Sequence, residues 1–436
     1  MALPVRPAPA PATSALSHAG DGTTGFVRPV IGARSTGRRR RPASTRLTSM
    51  LLVAPLVAFI LAIFVLPLLG VLASAVRNPE VGTAFPNVTA SLRGWDGAVL
   101  PPDAAFDALA ADLVAGSGTP ALAEAARRLN YEDSGYRSLV LKTARGIGAA
   151  AAARGSWRDK LAGIDPRWSD PRTWHAIRRA SAALTGHYLL AALDLRTGDG
   201  GGIERVPEEE RLFIDTLGRT LWIGSVVTFA CLLIGYPLAH ALVSLPRRLG
   251  GPLMLCVLLP FWTSLLVRTS AWIVVLQKQG IVNGVLQALG MTAEPLQLVF
   301  NRFGLYVAMV HILLPFMVLP ILSVMKGVPR TYMRASHSLG AHPVRGFLTV
   351  YLPMTMPGVG AGCLLTFIIS AGYYITPTLV GGAADQMMGY FIAFYTNTTI
   401  NWGMAAALGT VLLACILVLY ATLGRLIGVS RIAGIE

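Results

Sequence analysis

Few residues in this 436-residue sequence are of a type and spacing that would let them act together chemically. His175 and His187 stand twelve apart with no acidic neighbour at ligand spacing, so no metal site is expected from them. The four cysteines, Cys231, Cys256, Cys363 and Cys415, each sit inside an apolar run, and no two are spaced as metal ligands. They read as small packing residues. There is no G-x-x-x-x-G-K-[ST] loop to cradle phosphates. No catalytic set, metal or cofactor is therefore expected. What remains are lone polar and aromatic groups in apolar surroundings: Arg268, Trp272, Tyr373, Tyr374, Asp385, His240 and His311. An arginine at mid-bilayer costs ~2.5–3.5 kcal/mol, so Arg268 must face protein, water or the interface. It is either a residue of a solute pathway or a snorkelling side chain. Trp272, Tyr373 and Tyr374 offer π faces to an ammonium group, although aromatics near an interface also serve as belt residues. His240 and His311 read as packing or interface residues. Asp385, in an acid-poor loop, is a carboxylate that could meet a cationic group or another protein.

The elements that must position these groups follow from composition. Hydrophobic residues make up 53% of the chain and charged ones 14%, against about 25% in soluble domains. So few charges cannot cover a soluble surface of this size, and an integral membrane protein is implied. The net charge of +15 does not indicate a nucleic-acid partner, because the apolar runs are nearly continuous and the arginines crowd short segments between them. Of 22 acidic residues, 18 fall between Arg77 and Arg219, where 18 basic residues balance them. That stretch reads as a polar module inserted into a membrane protein.

Residues 1–49 are rich in Pro, Ala, Gly, Ser, Thr and Arg and are expected to be a disordered cytoplasmic segment. The run Leu51–Val76 is long enough to cross a bilayer. Ala73-Ser74-Ala75 resembles a signal-peptidase site, but the run exceeds a signal h-region, so an uncleaved first span (50–76) is expected. The insert, 77–216, is expected to be mainly helical, at 103–115, 120–130, 136–153 and 172–195, with Asp194-Leu195 as a turn or cap element. Five further spans are expected in 217–427: Leu217–Leu245, Gly251–Leu276, Phe303–Met325, Pro357–Val380 and Gly403–Ile427. A tail, 428–436, ends the chain. With six spans, Arg38–Arg41, Arg247–Arg248, the cluster Lys326, Arg330, Arg334 and Arg345, and Arg425 with Arg431 all fall on one side. By the positive-inside rule both termini are cytoplasmic and the insert lies outside.

The most informative stretch is the loop 327–356, within which Tyr332–Gly358 is too polar to span and too apolar for a free linker. Met333, Leu339, Val344, Phe347, Leu348 and Tyr351 suggest two short amphipathic helices separated at Gly340-Ala341-His342-Pro343. Joined to a span through Leu352-Pro353, they would make a lever on the cytoplasmic face, or equally an ordinary loop with interfacial helices.

This segment resembles the EAA loop of the inner-membrane permease subunits of ABC importers. The pattern E-A-A, three residues, G, and later L-P is met by Arg334-Ala335-Ser336, Leu339-Gly340, Pro343 and Leu352-Pro353, with arginine in place of the glutamate. Leu265–Trp272 (LLVRTSAW), Gln279–Asn283 (QGIVN), Pro315–Pro320 (PFMVLP), Pro357–Cys363 (PGVGAGC) and Ile375–Gly382 (ITPTLVGG) are similar to the spermidine/putrescine permease subfamily. The likeness covers about residues 212–427, half the chain. Polyamine permeases often carry an acidic residue where this chain has Gly372-Tyr373-Tyr374.

The resemblance implies an all-α membrane protein with six transmembrane helices of the ABC importer permease type and a helical extracytoplasmic insert. It implies a solute passed across the bacterial inner membrane from a periplasmic solute-binding protein. It also implies ABC ATPase subunits that dock on the loop, a second permease subunit, identical or not, and surrounding lipid. An ion-coupled secondary transporter is the alternative, but that class shows internal repeats and buried ionisable residues that are missing here. A membrane-anchored sensor would need a ligand set in the insert, and none is visible.

Overall fold

The computed structural model describes residues 43–198 and 202–427, in two units that meet after Leu61. The expected disordered segment up to 42, Arg38–Arg41 within it, the centre of the glycine run and the tail 428–436 lie outside the described residues. The first unit contains helix α1, Ala43–Ile60, so helix begins upstream of the expected boundary at 50. The second unit opens with α2, Leu66–Ser74, after a π turn at Leu61–Val65. Pro67 explains that turn. It has no N–H to donate, and its ring crowds the carbonyl four residues back, so the chain widens just before it.

The insert is built from α3 (Pro79–Ala84), α4 (Pro86–Ser91), α5 (Asp103–Gly116), α6 (Pro120–Leu129), α7 (Tyr136–Ala152), α8 (Trp157–Ile164), α9 (Pro171–Ala180) and α10 (His187–Ala191). A hairpin of β1 (Leu195–Thr197) and β2 (Ile203–Arg205) follows, paired antiparallel with Leu195 opposite Arg205. Proline at the first helical position starts α3, α4, α6 and α9, where its missing N–H costs nothing. The expected helix over 172–195 is split, because Ser181 to Thr185 turns back to pair with the end of α2. The core of the insert is aromatic. Trp168 and Trp174 are fully buried, their indole N–H groups bonded to Thr143 Oγ1 at 2.9 Å and to the Trp168 carbonyl at 3.0 Å. Each buried ring thus keeps its polar handle satisfied.

Beside that core, Glu132 takes hydrogen bonds from Arg128 at 2.9 Å and Arg179 at 3.3 Å, with His187 at 3.8 Å. Burial works to raise the Glu132 pKa, but the cations around it prevail and hold it below the usual value. Burial, aided by Arg128, pushes His187 below its ordinary value near 6.5 against the pull of Glu132. Both shifts have the same sign. Each group lends stability that is whole above its unfolded pKa and is lost as pH falls through its folded pKa. The insert is therefore expected to loosen on acidification, beginning below the ordinary histidine range and continuing below the carboxylate range. Tryptophan fluorescence of Trp168 and Trp174 against pH reads this. A signal that stays unchanged as pH falls through the histidine and carboxylate ranges would contradict it.

The membrane part contains α11 (Phe213–Ser244), α12 (Arg247–Trp262), α13 (Leu265–Leu276), α14 (Ile281–Ala288), α15 (Arg302–Gly327), α16 (Arg330–Ser338), α17 (Pro343–Gly346), α18 (Leu352–Ala371), α19 (Ile375–Val380), α20 (Met388–Asn397) and α21 (Trp402–Ile427). Among the described residues, five helical stretches are long and apolar enough to cross a membrane: Leu51–Ser74, Phe213–Ser244, Arg302–Gly327, Pro343–Ala371 and Trp402–Thr422. The third expected span, Gly251–Leu276, is not one helix. It breaks at Thr263-Ser264, and α12 is bent by 107° from the helix that follows. Pro260 withholds a backbone donor in the last turn of α12, and Thr263 Oγ1 bonds the Pro260 carbonyl at 3.2 Å. The fifth expected span is also displaced. Its helix starts at Pro343, fourteen residues before Pro357, and ends at Ala371, leaving α19 as a separate short helix.

The core of this bundle is α11, α15 and α18, with Ile223, Val227, Leu305, Met309, Leu313, Met317 and Ile321 fully or almost fully buried. The N-terminus of α11 is fixed by Asp194, itself 4% exposed and in the left-handed region at φ 52°. Its Oδ1 accepts from the N–H groups of Leu212 (3.2 Å) and Phe213 (3.1 Å), and Oδ2 from Ile214 (2.8 Å). Three otherwise unpaired donors of a helix end are satisfied by one carboxylate. Asp194→Ala is expected to destabilise the protein by about 2 kcal/mol, seen as a lower Tm in detergent, and Asp194→Asn by less. Equal Tm values for the three would refute the cap.

Candidate functional site

The loop singled out in the sequence forms a hub of two helices. Helix α16 ends in a left-handed turn at Gly340, φ +84°. The Gly340 N–H bonds the His337 carbonyl at 3.0 Å, and the Ala341 N–H reaches Ser336 at 3.1 Å. These are the two bonds of a Schellman C-cap, which needs a residue free of a Cβ at the left-handed position. Pro343 then starts α17. The two helices touch at Gly346, where a Cβ would stand 2.9 Å from Ser336 Oγ. Gly346 is a contact residue that sequence reasoning missed, since nothing local marks which glycine is an approach point.

The second helix is longer than expected. From Pro343 it runs through a π turn at Phe347–Tyr351 into α18 without a break. Leu352-Pro353 is not a joint between a short helix and a span, because it lies inside one helix. Pro353 follows the π turn as Pro67 follows the other, for the same reason. One face of this helix is held by aromatic rings. Phe347 and Tyr351 stack at 5.6 Å, and His240 of α11 meets them edge-on at 5.7 and 5.4 Å. Tyr236 Oη and Thr355 Oγ1 are 3.0 Å apart. Met333 of α16 packs on the same cluster. The opposite face is bare: Tyr332, Arg334, Ala335, Pro343, Val344 and Leu348 are exposed, and Leu339 is 89% exposed at the turn. An apolar side chain so exposed, on a rigid turn tied to two spans, is suited to fill a pocket on another protein.

The expected pathway residues divide into separate groups. Arg268 lies on α13, half-buried, within electrostatic reach of His311 and Tyr373. Its Nε is buried without a hydrogen-bond partner among the described residues. One turn on, Trp272 donates from Nε1 to His311 Nδ1 at 3.2 Å. Next to it, Thr269 and Thr376 approach at 3.5 Å, joining α13 to α19. Tyr373 and Tyr374 fall in the break between α18 and α19, backed by Gly389. Arg268, Trp272 and Tyr373 are thus brought near one another by two broken helices, a construction that membrane transporters use to line cavities. Asp385 stands differently. It is 5% exposed, its Oδ1 accepts from Arg302 Nε at 2.8 Å, and its Oδ2 accepts from the Gly382 N–H at 3.2 Å. Both oxygens are engaged in holding the turn at Gly382 to the start of α15, and neither is free for a solute or partner. No cluster of metal-ligating residues occurs among the described residues, and His175 instead hydrogen-bonds the Gly97 carbonyl at 3.0 Å.

Residues 232–427 match the family of binding-protein-dependent transport system inner membrane components, and the chain belongs to that family, as an ABC importer permease. It is 32% identical over 219 residues to the spermidine/putrescine transport system permease protein PotB of Escherichia coli K12, covering 50% of this chain and 80% of that one. PotB of Haemophilus influenzae is 31% identical over 255 residues, covering 56% and 89%. The inner membrane ABC transporter permease protein YdcU of E. coli K12 is 32% identical over 226 residues, covering 49% and 71%. Among solved structures, a bacterial alginate ABC transporter in complex with an alginate pentasaccharide-bound periplasmic protein is 14% identical, with a TM-score of 0.43, covering 50% of this chain and 78% of that one. The MetNI methionine ABC transporter is 16% identical, with a TM-score of 0.39, covering 50% and 94%.

Proposed function

We propose that this chain is a gate worked by a separate ATPase, passing a small polyamine-like organic solute, of which putrescine is the simplest representative, inward from an external solute-binding protein. Both termini and the hub lie in the cytoplasm, and the polar insert lies outside. The observation that carries this is the hub: an exposed Leu339 on a capped turn, with Arg334, Ala335, Ser336 and Gly340 around it and a helix running unbroken from Pro343 into the span α18. A push on Leu339 is delivered to α18 directly and to α11 through the rings of Tyr236, His240, Phe347 and Tyr351. The two states of such a gate need differ by only a few kcal/mol for nucleotide and binding protein to shift the balance. Arg268, Trp272, Tyr373 and Tyr374 face the route. The aromatic rings suit an ammonium group, and Asp385 supports the outer turn through Arg302. A second permease subunit completes the route, and lipid covers the exposed apolar faces.

The test is uptake of radiolabelled putrescine by proteoliposomes holding the transporter purified through a tag on this chain. Uptake that requires both internal ATP and an added binding protein supports the proposal. Uptake driven by an ion gradient without ATP would replace it with a secondary transporter.

A further inference from the structure

The insert does not hang free from the membrane helices. It holds three of them at the ends nearest to it. The chain leaving α2 pairs with the insert across an antiparallel bridge, Arg77 opposite Leu184, with the Thr185 N–H on the Val76 carbonyl at 2.8 Å and the Asn78 N–H on Ala183 at 3.1 Å. Asn78 is almost wholly buried and is fixed in turn by Arg128, whose Nε reaches its Oδ1 at 2.8 Å. The start of α11 is capped by Asp194, as described above. The start of α21 is held twice. Arg127 Nη1 donates to the Thr399 carbonyl at 2.9 Å, and the Tyr188 ring, 2% exposed, lies directly on Gly403, where any side chain would collide with it. Tyr188 and Ala192 of the insert share one buried cluster with Ala75 after α2, Met388 of α20, and Met404 and Leu408 of α21.

We propose that Asp194, Arg127 and Tyr188, with the Arg77–Leu184 bridge, are positioning residues that make α2, α11 and α21 one block, fastened through the insert and moving together throughout the transport cycle. The insert then works as a fixed buttress, and opening on its side of the membrane takes place elsewhere, where α12, α13 and α19 are broken and carry no contact of this kind among the described residues. The physical basis is the quality of the joints. One is a backbone pairing of two hydrogen bonds, one is a guanidinium on a backbone carbonyl, one is a triple cap by a buried carboxylate, and one is a buried aromatic seat. Separating them would leave Asp194 and the α11 donors buried and unpaired, or would expose the cluster around Tyr188. The rigid-block claim uses the importer reading only for its readout.

Two cross-links test it in the full transporter, purified from native membranes with the four cysteines of this chain replaced by alanine. Arg77→Cys with Leu184→Cys puts two thiols across an antiparallel bridge, where Cα atoms about 5 Å apart suit a disulfide. Glu124→Cys with Trp402→Cys spans the cavity of about 160 Å³ between the insert and the start of α21 and is closed with a short bismaleimide. ATP hydrolysis in proteoliposomes is compared before and after closing each link, so the result does not depend on the identity of the solute. Loss of hydrolysis in the unlinked wild type would speak against the importer reading, and it is seen before any link is made. The block predicts that both closed links leave turnover within about threefold of the open state. A larger loss after either link, reversed by reductant for the disulfide, would show that the insert must part from that span, and would overturn the proposal.

Discussion

Leu339→Asp is expected to reduce ATP-driven uptake about a hundredfold while leaving the fold of the chain intact. Leu339 is 89% exposed at the C-cap of α16, its side chain left open among the described residues. Its removal therefore costs the isolated protein little, since surface substitutions away from special contacts change stability by about 0.5 kcal/mol or less. In a docked complex the balance is different. An apolar anchor in a partner's pocket is worth about 2–4 kcal/mol, and a carboxylate left there without a partner adds a desolvation cost. A loss of about 2.7 kcal/mol is a hundredfold in rate. The measurement is uptake per folded transporter, alongside the Tm of the purified chain. Leu339→Met should keep most of the activity, because a flexible apolar side chain still fills a pocket. If Leu339→Asp transports normally, the turn at Gly340 is not the contact. If it lowers Tm as much as it lowers uptake, the residue is structural.

The second large effect is expected in the bundle. Gly362→Val should prevent stable folding. Helices α15 and α18 pack so closely that a Cβ at Gly362 would stand 2.9 Å from the Met317 carbonyl oxygen and 3.0 Å from its sulfur. One turn earlier, a Cβ at Gly358 would stand 2.9 Å from Val324 Cβ and 3.1 Å from Ile321 Cα. This is the small-x-x-x-small approach of membrane helices, in which backbone contact replaces the hydrophobic force that lipid removes. The methionine sulfur can turn aside, but the helix carbonyl cannot. Valine would push the two helices apart and strip contacts from Met317, Val318 and Ile321, all fully buried. Overpacking of this kind costs about 3 kcal/mol, enough to remove most of a marginal stability. Gly409→Ala, where nothing lies within 4 Å, is the matched control and should change Tm little. Equal yields of monodisperse protein from Gly362→Val and Gly409→Ala would show that the close approach is unimportant.

What the sequence made legible is what local physics decides. Apolar run lengths marked the membrane helices, and the prolines at 120 and 171 marked where insert helices begin. Asp194 read as a local turn or cap element, whereas the helix end it caps lies 18 to 20 residues later. Other features depend on contacts between distant residues. The helix from Pro343 to Tyr351 reads as a short amphipathic helix, but not as the start of a span, because its apolar side is covered by Tyr236 and His240, over a hundred positions earlier in the chain. Asp385 read as a free carboxylate, because Arg302, its partner, is 83 residues away. The break at Thr263-Ser264 is hidden inside a run apolar enough to span unbroken, since Pro260 alone does not decide between a kink and a turn of 107°. The resemblance to ABC permeases supplied the use of the loop. The physical reading alone left a lever and an ordinary interfacial loop equally open.

The central claim is that the turn around Gly340 is where a nucleotide-hydrolysing subunit takes hold. Leu339→Cys, with the other cysteines of the chain replaced by alanine, places one thiol at the most exposed point of that turn. The whole transporter is treated in native membranes with a short thiol-directed photocrosslinker, and the product is identified by mass spectrometry. The claim predicts a product with a P-loop ATPase, in a yield that changes with added ATP. A thiol that reacts with a membrane-impermeant reagent from outside, or a product that never contains an ATPase, would contradict it.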